Sequence, residues 1–245
     1  MMKAILDLHT HTLASGHAYS TIKENIEFAK KHGIKYLGVS DHACTMPGGP
    51  HPFFFQNLKV IPKEVDGIRV LKGIEGNIID FDGNLDISED ISQGMDYIIA
   101  SLHTPCIDPG SEEENTNAIL NAMDIDKVKI IGHPDDNRYA LNYEKIVLKA
   151  KEKNILLEIN NSSLSPNSFR EGAAENLTKM LKICKENRVR VVMGTDSHIC
   201  YDIGKFGNCE KLLEEVEFPI ELVINYHENE IVDFFNMDFE KVISK

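Results

Sequence analysis

The chain has 245 residues, 42% hydrophobic and 27% charged, which excludes a disordered polypeptide. At this size folding buries roughly 70–75% of the unfolded surface, enough for a full core. Lys plus Arg number 26 against 39 Asp plus Glu, a formal net charge of −13. No stable nucleic-acid binding is expected of such a chain, since that needs a basic face, and bound divalent cations would offset part of the charge.

Strand, loop and helix recur along the chain. Apolar runs of the buried parallel-strand type lie at 4–8 (A-I-L-D-L), 35–40 (K-Y-L-G-V-S) and 69–74 (R-V-L-K-G-I). They continue at 97–102 (Y-I-I-A-S-L), 128–132 (V-K-I-I-G), 155–160 (I-L-L-E-I-N) and 189–194 (V-R-V-V-M-G), with 221–225 (E-L-V-I-N) as a weaker eighth. After the first run, Thr21 and Glu24 form a capping box before a helical stretch that Gly33 stops. Residues 47–62 show neither period and read as a long loop, a possible lid carrying His51 and Phe53 to Phe55. Further helices are expected over about 112–123, 142–153, 171–187, 207–216 and 228–235. This alternation implies a parallel sheet, and the absence of a Pro-, Gly- or Ser-rich linker implies one domain over 1–245. No Gly-x-Gly-x-x-Gly or P-loop follows a strand, so the signature of a nucleotide-binding Rossmann fold is missing.

The five cysteines include no C-x-x-C pair, as expected of free thiols in a reducing cytosol. No apolar run approaches the ~18 residues of a membrane span. The N-terminus reaches charged residues at once, leaving no room for a signal peptide. A cytoplasmic protein without membrane association is therefore expected.

The decisive pattern is where the histidines fall. His9 and His11 end the first run, His42 follows the second, and Glu75 the third. His103 ends the fourth, His133 the fifth, and Asp196 with His198 follows the seventh; His17 lies in the loop after the first. In a closed parallel barrel the C-terminal strand ends form one rim, where active sites sit. Alternation along a strand puts Asp7, His9 and His11 on one face, and Asp196 with His198 on another. His32 and His227 fall outside the pattern and read as structural. Nine donors exceed the three or four protein ligands of one zinc ion, so two or three ions with a bridging carboxylate are expected.

The series H-T-H, S-D-H, E-G-N, S-L-H, G-H-P and D-S-H resembles the PHP family, the polymerase and histidinol phosphatase superfamily. The stretches H-A-Y-S-T, P-H-P-F-F-F, E-I-N-N-S-S and G-A-A-E-N are most similar to its YcdX-like phosphatase branch. The resemblance spans nearly the whole chain. It implies a distorted (β/α)7 TIM-like barrel with a trinuclear metal centre in a deep cleft. It further implies one ion on His9, His11, Glu75 and Asp196. Glu75 would bridge to a second on His103 and His133, and His17, His42 and His198 would hold a third.

Such a centre suits hydrolysis of a small phosphorylated substrate by metal-bound hydroxide, because a metal lowers the pKa of its water toward ~7. Histidine-rich ligation favours zinc, with manganese or iron as alternatives. Asp7 and Asp41 flank ligand positions and suit acceptors for ring N–H groups. Arg170, on the rim beyond the sixth strand, suits a phosphate clamp, and His51 a proton shuttle or phosphate contact. Cys44, Cys106 and Cys200 closely follow ligand positions, which raises the expectation of oxidisable thiols at the cleft mouth. Two other readings remain: an amidohydrolase-like enzyme cleaving C–N bonds, and a non-catalytic metal-binding module. The first lacks a lysine at the fourth strand end, and the second needs only four ligands.

Overall fold

A computed structural model describes residues 2–237, so the expected domain over 1–245 extends past the described residues at both ends. Eight strands form one sheet: β1 Leu6–Asp7, β2 Tyr36–Val39, β3 Glu64–Val65, β4 Ile68–Asn77, β5 Tyr97–Ser101, β6 Val128–Ile131, β7 Leu156–Asn160 and β8 Val191–Gly194. The order is β1-β2-β4-β5-β6-β7-β8, and every neighbouring pair on this path is parallel. These seven strands are the seven apolar runs of the sequence. The extra strand, β3, pairs antiparallel with β4 through Asp66–Gly67. Both turn residues have positive φ (54° and 81°), the geometry of a two-residue hairpin loop.

The helices are α1 Ile22–His32, α2 Phe53–Asn57, α3 Glu89–Gln93, α4 Glu112–Ala122, α5 Tyr143–Lys153, α6 Ala173–Asn187, α7 Gly207–Glu215 and α8 Glu228–Phe234. The Thr21–Glu24 capping box opens α1 and Gly33, at φ 78°, closes it. Residues 47–62 are not one long loop. They contain α2 and a 3₁₀ turn, Leu58–Val60, because Phe55 and Leu58 are buried in the core under them.

Two apolar layers follow from strand alternation. One lies between sheet and helices and includes Leu37, Val39, Ile98, Ala100 and Leu157. The other fills the barrel with Leu6, Leu8, Leu71, Tyr97, Ile99, Ile130, Leu156 and Val192. Tyr97 crosses the interior and donates its hydroxyl hydrogen bond to Leu8 O. A Cβ on Gly38 would lie 1.9 Å from that hydroxyl oxygen, so only glycine fits there.

No ladder joins β8 to β1: the barrel is closed by a backbone bridge just beyond them, Thr10 to Ser197 with His11 N donating to Ser197 O (2.9 Å), and by a side chain lower down. Residues 221–225 form parts of two 3₁₀ turns, Ile220–Leu222 and Ile224–Tyr226, with a single bridge from Val223 to Val191. Fully buried Asn225 spans the gap between β8 and β1. Its amide nitrogen donates to Leu6 O (2.9 Å) and Met193 O (2.8 Å), and its oxygen accepts from Met193 N (2.8 Å). A strand register would satisfy those groups with backbone; here one amide does so. Asn225→Ala leaves three buried backbone groups unpaired and should cost about 3 kcal/mol. Urea unfolding checks this, and an unshifted midpoint would show that the gap closes without Asn225.

Candidate metal centre

The strands deliver the nine candidate residues to the C-terminal rim. β4 continues pairing with β5 through Glu75↔Ile99 and Asn77↔Ser101, which keeps Glu75 and Asn77 inside the barrel on a rigid strand. β1 stops at Asp7, and the chain then turns so that His9 and His11 both enter the interior. His133 and Asp196 have positive φ (26° and 52°) just past β6 and β8. Such backbone costs on the order of 1–3 kcal/mol in a non-glycine residue and persists only where the surroundings hold it.

Glu75 is fully buried and lies at the middle of the cluster. Its Oε1 is 2.9 Å from His133 Nε2, 3.2 Å from His103 Nε2 and 3.3 Å from His9 Nε2. Its Oε2 is 2.7 Å from His42 Nδ1 and 3.5 Å from His11 Nε2. Asp196 Oδ1 lies 3.2 Å from His11 Nε2 and 3.6 Å from both His9 Nε2 and His198 Nδ1. Four groups of three place their donor atoms within 4.8 Å of one another: His9, Glu75 and His133; His42, Glu75 and His103; His9, His11 and Asp196; His11, His42 and His198. These groups put His42 against Glu75 as well as against His198. Eight of the nine residues are thus brought together. His17 stays at the edge, exposed, with its ring 5.0 Å from that of His42 and 4.7 Å from that of His198.

The outward nitrogens of three rings are fixed by acceptors. His9 Nδ1 lies 2.7 Å from Glu158 Oε1, and His103 Nδ1 lies 2.7 Å from Asn77 Oδ1. His11 Nδ1 lies 3.0 Å from Ser15 Oγ, whose own proton goes to Asp41 Oδ1 (2.7 Å). Each Nδ1 must therefore carry the hydrogen, leaving the Nε2 lone pair aimed inward. Correspondingly His9, His11 and His103 Nε2, His42 Nδ1 and Glu75 Oε2 are buried atoms without a hydrogen-bond partner. Orphaned donors of this chemistry, facing one point, fit divalent ions.

Asp41 is buried and accepts from Thr12 N, Thr12 Oγ1 and Ser15 Oγ, so it acts on His11 only through Ser15. Asp7 accepts from Thr195 and Gly204 and does not touch an imidazole, because β1 ends there and its carboxylate turns toward the β8 loop. Glu158 takes the position expected of Asp7. Its Oε2 also accepts from His133 N at 2.7 Å, which ties β7 to the strained residue. A Cβ on Gly194 would lie 1.9 Å from Glu158 Oε1, so β8 must present glycine here. Glu158 and Asn77 were not singled out by sequence reasoning. Their signal is an inward-facing polar residue at a strand end, visible only once strand parity is known.

Electrostatics follow from burial. Burial works to raise Glu75, but His42, His9 and His103 outweigh it and hold its carboxyl well below the usual range. Burial works to lower His9, but Glu158, Glu75 and Asp196 lift it well above the usual imidazole value, so a proton would compete with a cation for its inward Nε2. Burial and the neighbouring His198 and His42 push His11 well down. Burial takes His103 down to about 4 against the pull of Glu75, leaving a neutral ring at pH 7.

A cleft of about 550 Å³ opens at the cluster, its lining joining His17, His42, His103, Asp196 and His198 to Met46, Pro47, Leu102, Arg138, Phe169 and Arg170. Arg170 is not a free rim cation. The 161–172 loop folds it inward until it is 9% exposed, with Nη1 donating to Ser163 Oγ (3.0 Å) and Asp196 Oδ2 (3.1 Å). His51 does not line the cleft; it is exposed, and its Nδ1 accepts from Phe53 N because α2 turns it outward. Cys44, Cys106 and Cys200 do not line it either, and burial, reinforced by Asp86, raises the thiols of Cys44 and Cys106. His32 and His227 bond the backbone carbonyls of Ile203 and Ile220, away from the cluster. No helix among the described residues is long and apolar enough to cross a membrane.

Comparison with known proteins places this architecture. A probable phosphatase of Clostridium novyi (strain NT) is 48% identical over 233 residues, covering 95% of both chains. A probable phosphatase of Acetivibrio thermocellus is 41% identical over 244 residues, covering 100% of both. Among solved structures, histidinol phosphate phosphatase from Lactococcus lactis, complexed with zinc, L-histidinol and phosphate, superposes with a TM-score of 0.62 at 19% identity. That match covers 89% of this chain and 95% of the other, and it shows a shared fold. The family model described as PHP domain matches residues 7–189. The inward donor cluster thus sits on the fold of a known family, and the chain belongs to the PHP domain family.

Proposed function

We propose that the protein is a metal-dependent phosphoesterase, a phosphatase acting on a small phosphorylated molecule. The observation that carries this reading is the convergence of orphaned imidazole nitrogens and two carboxylates, Glu75 and Asp196, on the floor of an open cleft. The relatives named probable phosphatases support it. His9, His11, His42, Glu75, His103, His133, Asp196 and His198 would hold divalent ions, with His17 completing the outer one, and three ions at about three ligands each use the set. The histidine-rich donors favour zinc. Bound ions supply Lewis acidity and a water activated near neutral pH.

The chain's own residues do the rest. Glu75 turns one oxygen toward each side of the cluster, Oε1 to His133 and His103 and Oε2 to His42, and would bridge two ions held there. Glu158, Asn77 and Ser15 fix the ring tautomers. Arg170 uses only Nη1 on protein groups among the described residues, which leaves the other edge of its guanidinium for a phosphate oxygen. It therefore has two duties, anchoring Asp196 and neutralising substrate.

Gently purified protein should contain about three divalent ions per chain and hydrolyse phosphate monoesters but not amides, with activity lost to a chelator and restored by zinc. A single fully occupied site, or amide cleavage without phosphatase activity, would sink the reading. Glu158→Gln sets an amide against His9 N–H or His133 N–H and should weaken metal binding about 10–100-fold. Competition with a chromogenic chelator measures this; unchanged affinity would remove Glu158 from the machinery. Arg170→Ala should weaken inhibition by inorganic phosphate about 10–100-fold, the loss of a charge-assisted contact, and lower metal occupancy as well through Asp196. Phosphate inhibition that stays the same would show that Arg170 serves Asp196 alone.

A further inference from the structure

The donor cluster accounts for one side of the cleft, and the facing wall has a chemistry of its own. Phe169 lines the cleft yet is 70% exposed. Its ring is not loose: the guanidinium carbons of Arg138 and Arg170 stand 5.4 and 5.1 Å from its centroid. Arg170 is itself anchored to Ser163 and Asp196, and Arg138 to Asp136. Two anchored cations thus position an aromatic ring that stays largely open to the cleft. The surrounding wall is apolar, made by Met46, Pro47, Leu102 and Pro105.

The charged groups of this wall are already committed, and its remaining polar side chains are the hydroxyls of Thr104 and Ser162. Arg138 gives Nε and Nη2 to the buried Asp136 carboxylate and Nη1 to Thr104 Oγ1. Among the described residues lining the cleft, Arg138 and Arg170 are the only Lys or Arg. With Arg170 facing the cluster and Arg138 neutralised, no free cation remains for a second phosphate. A polyol would find few unused donors and acceptors and would leave its hydroxyls unpaired against apolar carbon, at a cost. A flat apolar group would stack on Phe169 and displace water from the wall.

On the phosphoesterase reading above, we propose that Phe169, with Met46 and Pro47, forms a leaving-group subsite. It selects monoesters of a flat, uncharged, apolar alcohol, such as an arylmethanol, over polyol phosphates and bisphosphates. The phosphoryl group then points at the metal cluster and Arg170, while the ring lies against Phe169.

Benzyl phosphate and glycerol 3-phosphate are both esters of primary alcohols, so their comparison isolates the wall from leaving-group reactivity. The zinc-loaded protein should show a kcat/KM at least tenfold higher for benzyl phosphate, and Phe169→Ala should lower that ratio about tenfold, mainly through KM. Phe169→Leu, which keeps bulk without the π-face, should fall between. Calorimetry with benzylphosphonate and methylphosphonate reads the subsite without turnover: the benzyl compound should bind more tightly, and Phe169→Ala should erase the difference. Equal kcat/KM for the two esters, or an unchanged ratio in Phe169→Ala, would overturn the subsite. If neither ester is cleaved but benzylphosphonate keeps its Phe169-dependent advantage, the phosphoesterase reading fails and the subsite stands. If neither ester is cleaved and neither phosphonate is preferred, both fall.

Discussion

The structure depends on a carboxylate with no access to water. Glu75 is fully buried, and five imidazoles approach its two oxygens within 3.5 Å. An ionised carboxylate in such a place is tolerable only with compensating positive charge or hydrogen bonds. The rings supply part of it, and their remaining lone pairs cannot be satisfied by one another. That frustration is the physical argument for cations: a metal ion turns mutually unpaired donors into ligands. Because ions would bind the folded arrangement and not the unfolded chain, they would also stabilise it by mass action.

The rest of the architecture keeps this cluster in register. Long β4 carries Glu75 and Asn77 on paired backbone, so the central carboxylate does not depend on a loop. Glu158 connects β7 to His9 from β1 and to the backbone of His133 beyond β6. Ser15 relays Asp41 to His11 and accepts from His42 N, joining the first two strand ends. Except for the His11–Ser15 contact within the loop after β1, these bonds cross from one strand end to another, so the rim is cross-linked by the atoms that orient the donors. At the far end Asn225 performs the equivalent service for the barrel, pinning β8 to β1 where no ladder forms.

The cleft wall opposite the cluster obeys the same economy of charge. Asp136 and Arg138 cancel one another, and Arg170 is shared between Asp196 and the cleft. In a chain with a net charge of −13, Arg170 is then the cation left to meet an anionic substrate in the cleft. Local field at the site, rather than overall charge, then governs which ligand is attracted.

By itself the sequence determined the seven parallel strands, most helices and the nine candidate residues, eight of which the fold draws into one cluster while His17 stays at its edge. Those features rest on local information: largely apolar runs of five or six residues, the Thr21–Glu24 box, and histidines that follow apolar strand ends. What depended on contacts far apart in sequence was decided only by tertiary structure. The 221–225 segment reads as a strand, yet it folds into 3₁₀ turns because the gap between β8 and β1 admits one amide and not a ladder. Residues 47–62 show no period, yet buried Phe55 and Leu58 impose helical turns. Asp7 sits next to the histidines in sequence, but Glu158, 149 positions from His9, takes the ring proton, because strand parity and register determine who faces whom. Arg170 reads as a rim cation, yet its loop folds back to Asp196. A single sequence carries the residue types and their periods; which distant side chains meet is fixed only when the barrel closes.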